Sequence, residues 1–422
     1  MPWRFGSSPG CVLPFLSRLN CCMDLLPSTP SNFPLVLPEG CRCVGQQGSP
    51  AAHVTMLAPW LKQNLSLDLL LLLAATRTAE HKGISEAGST ATARRITALA
   101  DAELLLKGPS TSKKWPLPSL SAGVSPALLS HVAVRRLSLQ PLVAVIGLMM
   151  QPDFDHLRVE SSDLGPADCL SSGAAMTIDR VDHLWRQGER IGAGLKRPLT
   201  LIECVPGGTT TAQAVLTALG FHVADLISGS ARQSPRALKF ALVAKGLRQA
   251  NLGETCTAVA MLAAVGDPFQ VLATGLLVGA VRSHQPVLLG GGSQMLAVLA
   301  LALYALSETD RDSLVHQVLV GTTAWLADEG AIDGQPSLLD HLVNEIGARF
   351  GLLLSVFACG IHFHASSYQA LRDYEQGYVK EGVGAGALLF LAQLRGVGYH
   401  ELVADCDRAM AQLLGCPVES GL

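Results

Sequence analysis

The chain has 422 residues, of which 49% are hydrophobic and only 15% charged, with a net charge of −3. Its lysines and arginines are scattered, with no aromatic-laced basic face, which argues against a nucleic-acid partner. The longest suspicious run, His284 to Ser307, carries no Asp, Glu, Lys or Arg but is interrupted by Gly290, Gly291, Gly292, Ser293 and Gln294, so its apolar part is shorter than the roughly 20 residues that cross a bilayer.

In chain order, residues 1–55 stand apart. They are rich in Pro, Ser, Gly and Cys and lack a sustained period. Cys11, Cys21, Cys22, Cys41 and Cys43 lie here without metal-ligand spacing. Val12 to Leu16 is too short and proline-broken for a signal sequence. The segment is expected to be a disordered extension or a consequence of start-site choice, with Met56 opening a single α/β domain over 56–422. Short apolar runs then predict buried strands at Leu69–Ala75, Leu142–Leu148, Leu199–Val205, Pro286–Leu289, Val318–Thr323 and Leu352–Cys359. Helices are predicted at Ala91–Ala100, Ala174–Ile191, Thr210–Leu219, Ser234–Gln249, Pro268–Val281, Gln294–Leu306, Leu339–Arg349, Ala385–Leu394 and His400–Leu414. A proline-rich break, Gly108 to Pro126, separates the opening unit from the main run. Alternation of this kind predicts an α/β fold: a doubly wound, mostly parallel, Rossmann-like sheet, with a smaller helical subdomain from N- and C-terminal segments. Later cysteines such as Cys204 and Cys359 sit in apolar surroundings and are expected to be buried thiols in a reducing cytoplasm.

Two segments carry the chemistry. Leu199 to Leu216 runs from an apolar strand through Glu203 and the turn Pro206-Gly207-Gly208 into Thr209, Thr210 and Thr211 at a helix start. Such a start offers unpaired N–H groups and the positive end of a dipole to an anion, and glycines let it approach the backbone. Glu203 falls at the carboxyl end of the strand, where open α/β sheets hold ligands. The segment is neither a P-loop nor a dinucleotide fingerprint, because the Lys of the first and the G-x-G-x-x-G of the second are missing. Further on, Glu381 precedes Gly382, Gly384 and Gly386 and an apolar helix. A carboxylate desolvated by such neighbours has a raised pKa and can act as a base near neutral pH.

Glu-x-Val-Pro-Gly-Gly-Thr-Thr-Thr-Ala together with Lys-Glu-Gly-Val-Gly-Ala-Gly resembles the nicotinate-nucleotide–dimethylbenzimidazole phosphoribosyltransferases, and more closely their divergent cyanobacterial and archaeal branch. Gly83–Gly88, Ala98–Glu103, Ala122–Leu128, Gly266–Phe269 and Pro286–Gly292 agree, so the resemblance spans about Leu57 to Leu414. It implies transfer of the phosphoribosyl group of nicotinate mononucleotide to dimethylbenzimidazole or a related base, giving the lower-ligand precursor of a cobamide. No cofactor is implied. The partners implied are small-molecule substrates and a second copy in a cytoplasmic homodimer. By the same resemblance Glu381 is the general base and Glu203 stabilises positive charge on the ribose. Gly207, Gly208, Thr209 and Thr210 hold the 5′-phosphate, while Thr211, Gly291, Gly292, Gly382 and Gly384 complete the substrate pocket. Ser85 lines the base pocket, and Asp267 reaches a ribose hydroxyl or simply caps a helix. Two departures are Lys380, where better-known members have Gly, and Ser228 to Ser234, where close relatives have a polar segment containing His and Asn.

His362 and His364 alternate along an extended segment, but no third ligand is evident, and no metal is expected. A nucleotide-dependent oxidoreductase would need a fingerprint that is missing. A protein of the same fold that binds nucleotide without turnover is the remaining alternative.

Overall fold

The computed structural model describes residues 36–416 apart from 47, 63–65, 111–112, 254 and 333. The expectations for Cys11, Cys21, Cys22 and the apolar patch at Val12 lie outside these residues. Strands β1 (Arg42–Val44), β2 (Asp68–Ala74), β3 (Pro141–Ile146), β4 (Leu157–Arg158), β5 (Leu199–Cys204), β6 (Val287–Gly290), β7 (Val318–Thr322) and β8 (Val356–Ala358) form one sheet. Its order is β1-β8-β7-β6-β5-β2-β3-β4. Every neighbour is parallel except β1, which runs antiparallel to β8. The chain leaves β2 in one direction through β3 and β4, then returns to its other side with β5. The order therefore reverses between β2 and β5, and open α/β sheets bind their ligands beyond the strand ends at such a reversal.

β2 shows why the strands were legible. Its five leucines divide by parity: Leu69, Leu71 and Leu73 enter one core and Leu70 and Leu72 the other. A strand covered on both faces needs an apolar residue at every position.

The covering helices are α1 (Pro50–Leu57), α2 (Ala91–Lys107), α3 (Ala127–Arg136), α4 (Ile178–Ala193), α5 (Gly208–Ala218), α6 (Arg236–Ala250), α7 (Ala258–Val265), α8 (Pro268–Ser283), α9 (Ser293–Ala305), α10 (Glu308–Val315), α11 (Ala324–Ala327), α12 (Leu338–Phe350), α13 (Gln369–Arg372), α14 (Ala385–Leu394) and α15 (Tyr399–Leu413). The early helices α2 and α3 pack with the late helices α14 and α15 on the Leu69–Leu71–Leu73 face, so both ends of the domain build one helical group. The middle helices cover the other face. There α4 and α8 meet backbone to backbone. A Cβ on Gly188 or Gly192 would lie 2.2 or 2.0 Å from a carbonyl oxygen of α8, and one on Gly275 or Gly279 would lie 2.3 or 2.2 Å from a carbonyl oxygen of α4. Among the described residues, no helix is long and apolar enough to cross a membrane.

The boundary expected at Met56 is corrected. Met56 lies inside α1, and β1 upstream of it pairs Arg42, Cys43 and Val44 with Ala358, Phe357 and Val356. Three residues are too few to show a period. The strand is held by its partner and by the Arg42 guanidinium, which donates to Asp328 Oδ1 at 2.7 Å and to the Ala327 carbonyl at 2.6 Å.

Candidate active site

Beyond the carboxyl ends of β5 and β6 lies a cavity of about 250 Å³. Glu203 and Glu381 both line it, together with the starts of α5 and α9. Glu203 is the fifth residue of β5, buried, with Oε1 accepting a 2.8 Å hydrogen bond from Gln294 Nε2 at the start of α9. Its pKa is pushed up to about 8, first by burial and then by the negative charges of Asp267, Glu381 and Asp101.

Glu381 is held differently. Lys380 N–H donates to the Tyr378 carbonyl at 2.7 Å and Glu381 N–H to the Val379 carbonyl at 2.8 Å, with φ of 62° at Val379 and 61° at Lys380. These are two successive γ-turns of the strained kind. Val383 follows at φ 51°. Non-glycine residues in this region cost about 1–3 kcal/mol each and persist only where the surroundings fix them. Here the Lys380 ammonium reaches Glu329 Oε1 at 3.0 Å and the Ala231 carbonyl at 3.1 Å, and Thr323 Oγ1 donates to the Lys380 carbonyl at 2.6 Å. The Glu381 carboxylate itself accepts four bonds: from Thr322 Oγ1 (3.1 Å), Thr323 N (2.9 Å), Gly382 N (3.0 Å) and Gly386 N (3.3 Å). Burial outweighs these donors and pushes its pKa up to about 7. Lys380, whose charge could have lowered it, is turned away onto Glu329.

The start of α5 sits beside Glu203. Gly207 caps it at φ 86°, and a Cβ on Gly208 would lie 1.8 Å from Gln294 Oε1, so both turn glycines are dictated by the backbone and by the neighbouring helix. Thr209 faces the cavity.

A UPF0284 protein of Parasynechococcus marenigrum (strain WH8102) is 59% identical over 384 residues, covering 91% of this chain and 97% of the relative. The chain belongs to the UPF0284 family. Another member, from Prochlorococcus marinus (strain MIT 9313), is 55% identical and covers 93% of the chain and 99% of itself. A family model described as phosphoribosyltransferase matches residues 138–316, from just ahead of β3 to the end of α10. Among solved structures, CobT from Thermus thermophilus shares the fold with a TM-score of 0.55 and 18% identity, covering 87% of this chain and 92% of its own. The nicotinate-nucleotide–dimethylbenzimidazole phosphoribosyltransferase from the same organism has a TM-score of 0.52 at 16% identity, covering 84% and 87%. The resemblance read from the two motifs, to this phosphoribosyltransferase family and its cyanobacterial branch, therefore holds.

In this UPF0284 chain the other expected site residues divide. Gly292, Gly382 and Ser85 line the cavity with Gly207, Gly208 and Thr209. Thr210 and Thr211 do not, because successive helical side chains turn by about 100° and only one of three can face a given wall. Thr210 is fully buried, and Thr211 Oγ1 donates to Asp267 Oδ2 at 2.5 Å. Asp267 caps α8 through a reciprocal box with Gln270 and is fully buried behind that wall, with its pKa pushed up to about 6 by burial. It acts on the site as a charge behind Glu203, not as a cavity wall. Gly291 lies outside the lining and donates its N–H to the Gly321 carbonyl at 2.9 Å. Gly384 caps α14 against Ile202, whose Cγ2 would sit 2.1 Å from a Cβ there.

Two polar residues at the site had no role assigned from sequence. Lys239 on α6 is buried, with Nζ 3.0 Å from Thr209 Oγ1 and 3.0 Å from the Ser228 carbonyl. Burial first, then the charge of Lys380, brings its pKa down to about 8. A signal was present: Lys239 shares the buried stripe of its helix with Leu242, Val243 and Gly246, an anomalous place for a lysine. Asp101 on α2 lines the cavity, accepting from Ser125 Oγ at 2.6 Å and from Cys204 Sγ at 3.4 Å. Burial pushes its pKa up to about 6.

Proposed function

We propose that this chain transfers the phosphoribosyl group of nicotinate mononucleotide to a lower-ligand base, dimethylbenzimidazole or a related azole or purine, as a cytoplasmic homodimer. The observation that carries the reading is that Glu203 and Glu381, far apart in the chain, line one cavity beside the start of α5. In the reaction the bond from C1′ to the nicotinate nitrogen breaks, and its electron pair returns to the pyridine ring, which leaves neutral and needs no acid. The azole nitrogen forms the new bond to C1′, and its N–H proton passes to a carboxylate. One base suffices, where glycoside hydrolases usually employ two carboxylates.

Glu381, near neutrality in pKa, is matched to that role. Glu203, with its pKa at about 8, holds its proton at neutral pH. A pyridinium or a ribosyl cation beside it favours the anion, which then stabilises the developing charge. Lys239, Thr209 and the helix start provide the donors for the 5′-phosphate. A second assignment exchanges the carboxylates, and one observation favours it: the Glu381 oxygens already accept four hydrogen bonds, which leaves Glu203 the freer acceptor.

The test is to incubate purified protein with nicotinate mononucleotide and a panel of bases and to follow free nicotinate and the new nucleotide. Release of nicotinate that depends on the base supports transfer. Binding of nicotinate mononucleotide with no release for any base supports a non-catalytic binding protein instead.

A further inference from the structure

The chain leaves β8 through Gly360 and carries His362 and His364 along one edge of the segment that follows. The sequence left this pair without a third ligand, and the fold supplies one. Glu375, in the short 3₁₀ segment Asp373–Gln376, places Oε2 3.0 Å from His362 Nδ1 and 3.4 Å from His364 Nε2. The two imidazoles lie nearly parallel, 7° apart in plane and 5.5 Å between centroids. One ligand atom from each of the three residues falls within 4.8 Å of the others.

We propose that His362, His364 and Glu375 bind one divalent transition-metal ion of the zinc class. Bonds of about 2.0–2.1 Å in a tetrahedral shell separate ligand atoms by about 3.3 Å, and both carboxylate-to-imidazole distances are already close to that value. Two nitrogens and one oxygen suit zinc, copper or nickel and not calcium or magnesium, which take oxygen shells. The carboxylate is also oriented as a ligand. Its other oxygen, Oε1, accepts from Trp325 Nε1 at 2.8 Å and from the Phe363 amide, so Oε2 is left aimed between the rings. Tyr399 donates its hydroxyl to the His362 carbonyl at 2.9 Å and fixes the backbone that carries the pair. An ion pair between His362 and Glu375 accounts for one imidazole. It gives no reason for a second, 74% exposed, to stack on the first and direct its Nε2 at the same oxygen. That exposure leaves the fourth position to water. The turn bearing Glu375 runs on directly into residues 377–381, so the ion would tie the exit of β8 to the strained turn that presents Glu381.

Chelator-treated full-length protein is titrated with Zn²⁺ by calorimetry, and bound metal is counted after dialysis. One equivalent at micromolar free zinc is expected, with affinity lowered at least tenfold in His364→Ala and in Glu375→Gln. His364 is exposed, so its variant keeps the metal-free melting curve of the parent and isolates ligation from folding. Failure to bind one equivalent, or an equivalent that persists unchanged in His364→Ala, overturns the proposal.

Discussion

Glu203 and Glu381 reach the same cavity from two different kinds of backbone. Glu203 rides on β5, fully flanked by β2 and β6, where hydrogen bonds of the sheet set its position before any side chain is considered. Glu381 rides on a turn that no ladder supports, with positive φ at three non-glycine residues within five positions. Its place is fixed afterwards, by Thr322, Thr323, Gly386 and the Lys380–Glu329 pair. The strand end gives a carboxylate with few partners and a raised pKa. The turn gives a carboxylate with four partners and a pKa raised less. The same burial therefore has different consequences, and a pair of acids separated in this way is how one site assigns two roles.

Substitutions at the two acids should separate those roles. Glu381→Gln is expected to lower kcat by roughly a hundredfold or more, the range for loss of a general base, measured as nicotinate release at saturating base. Near-normal turnover would move the base role to Glu203. Glu203→Gln is expected to lower kcat on the order of a hundredfold through loss of charge stabilisation. The rise of rate with pH near 7 should stay in place, because Glu203 keeps its proton where Glu381 titrates and adds no charge beside it. A clear displacement of that rise would mean that Glu203 is already charged at neutral pH and raises Glu381.

Lys239→Met should raise the KM for nicotinate mononucleotide by roughly tenfold with a smaller change in kcat, as expected for removing one charge-assisted bond to phosphate. An unchanged KM would place the phosphate elsewhere in the cavity.

The smallest effect concerns stability. Glu203, Glu381, Asp267 and Asp101 have folded pKa values raised to about 8, 7, 6 and 6. Between their unfolded values near 4 and these, the folded state binds more protons, so stability falls as pH rises. The ligand-free protein should melt higher near pH 5.5 than at pH 8, and Glu203→Gln should flatten that slope. A slope unaffected by the variant would show that Glu203 is already charged across that range.

The strands that position the site were legible because burial on both faces demands continuous apolar runs, as in Leu69–Leu73, and Gly207 and Gly208 marked the turn into α5. The run Leu352–Cys359 was longer than the strand it contains, β8, because Leu352, Leu353 and Leu354 extend the apolar stretch ahead of the strand. β1 was invisible because only its pairing with β8 makes it a strand. Thr210, Thr211, Gly291 and Gly384 belong to the pocket only by resemblance, which ignores the rotation of a helix, whereas Asp267 takes the capping role that its place before Pro268 suggests. Asp101 owes its place to long-range packing, and the one local signal for Lys239 is its position on the buried stripe of α6. The glycine favoured at position 380 in better-known members has a simple reading here: the backbone there lies at φ 61°, and Lys380 occupies it by virtue of its bond to Glu329.

The most direct measurement is the fate of nicotinate mononucleotide when the purified chain and dimethylbenzimidazole are mixed at neutral pH, followed by chromatography for free nicotinate. Stoichiometric appearance of nicotinate and a dimethylbenzimidazole nucleotide, abolished by combining Glu203→Gln with Glu381→Gln, is the predicted result. Nicotinate release that survives the double substitution would contradict the claim that these two carboxylates act together on one anomeric carbon.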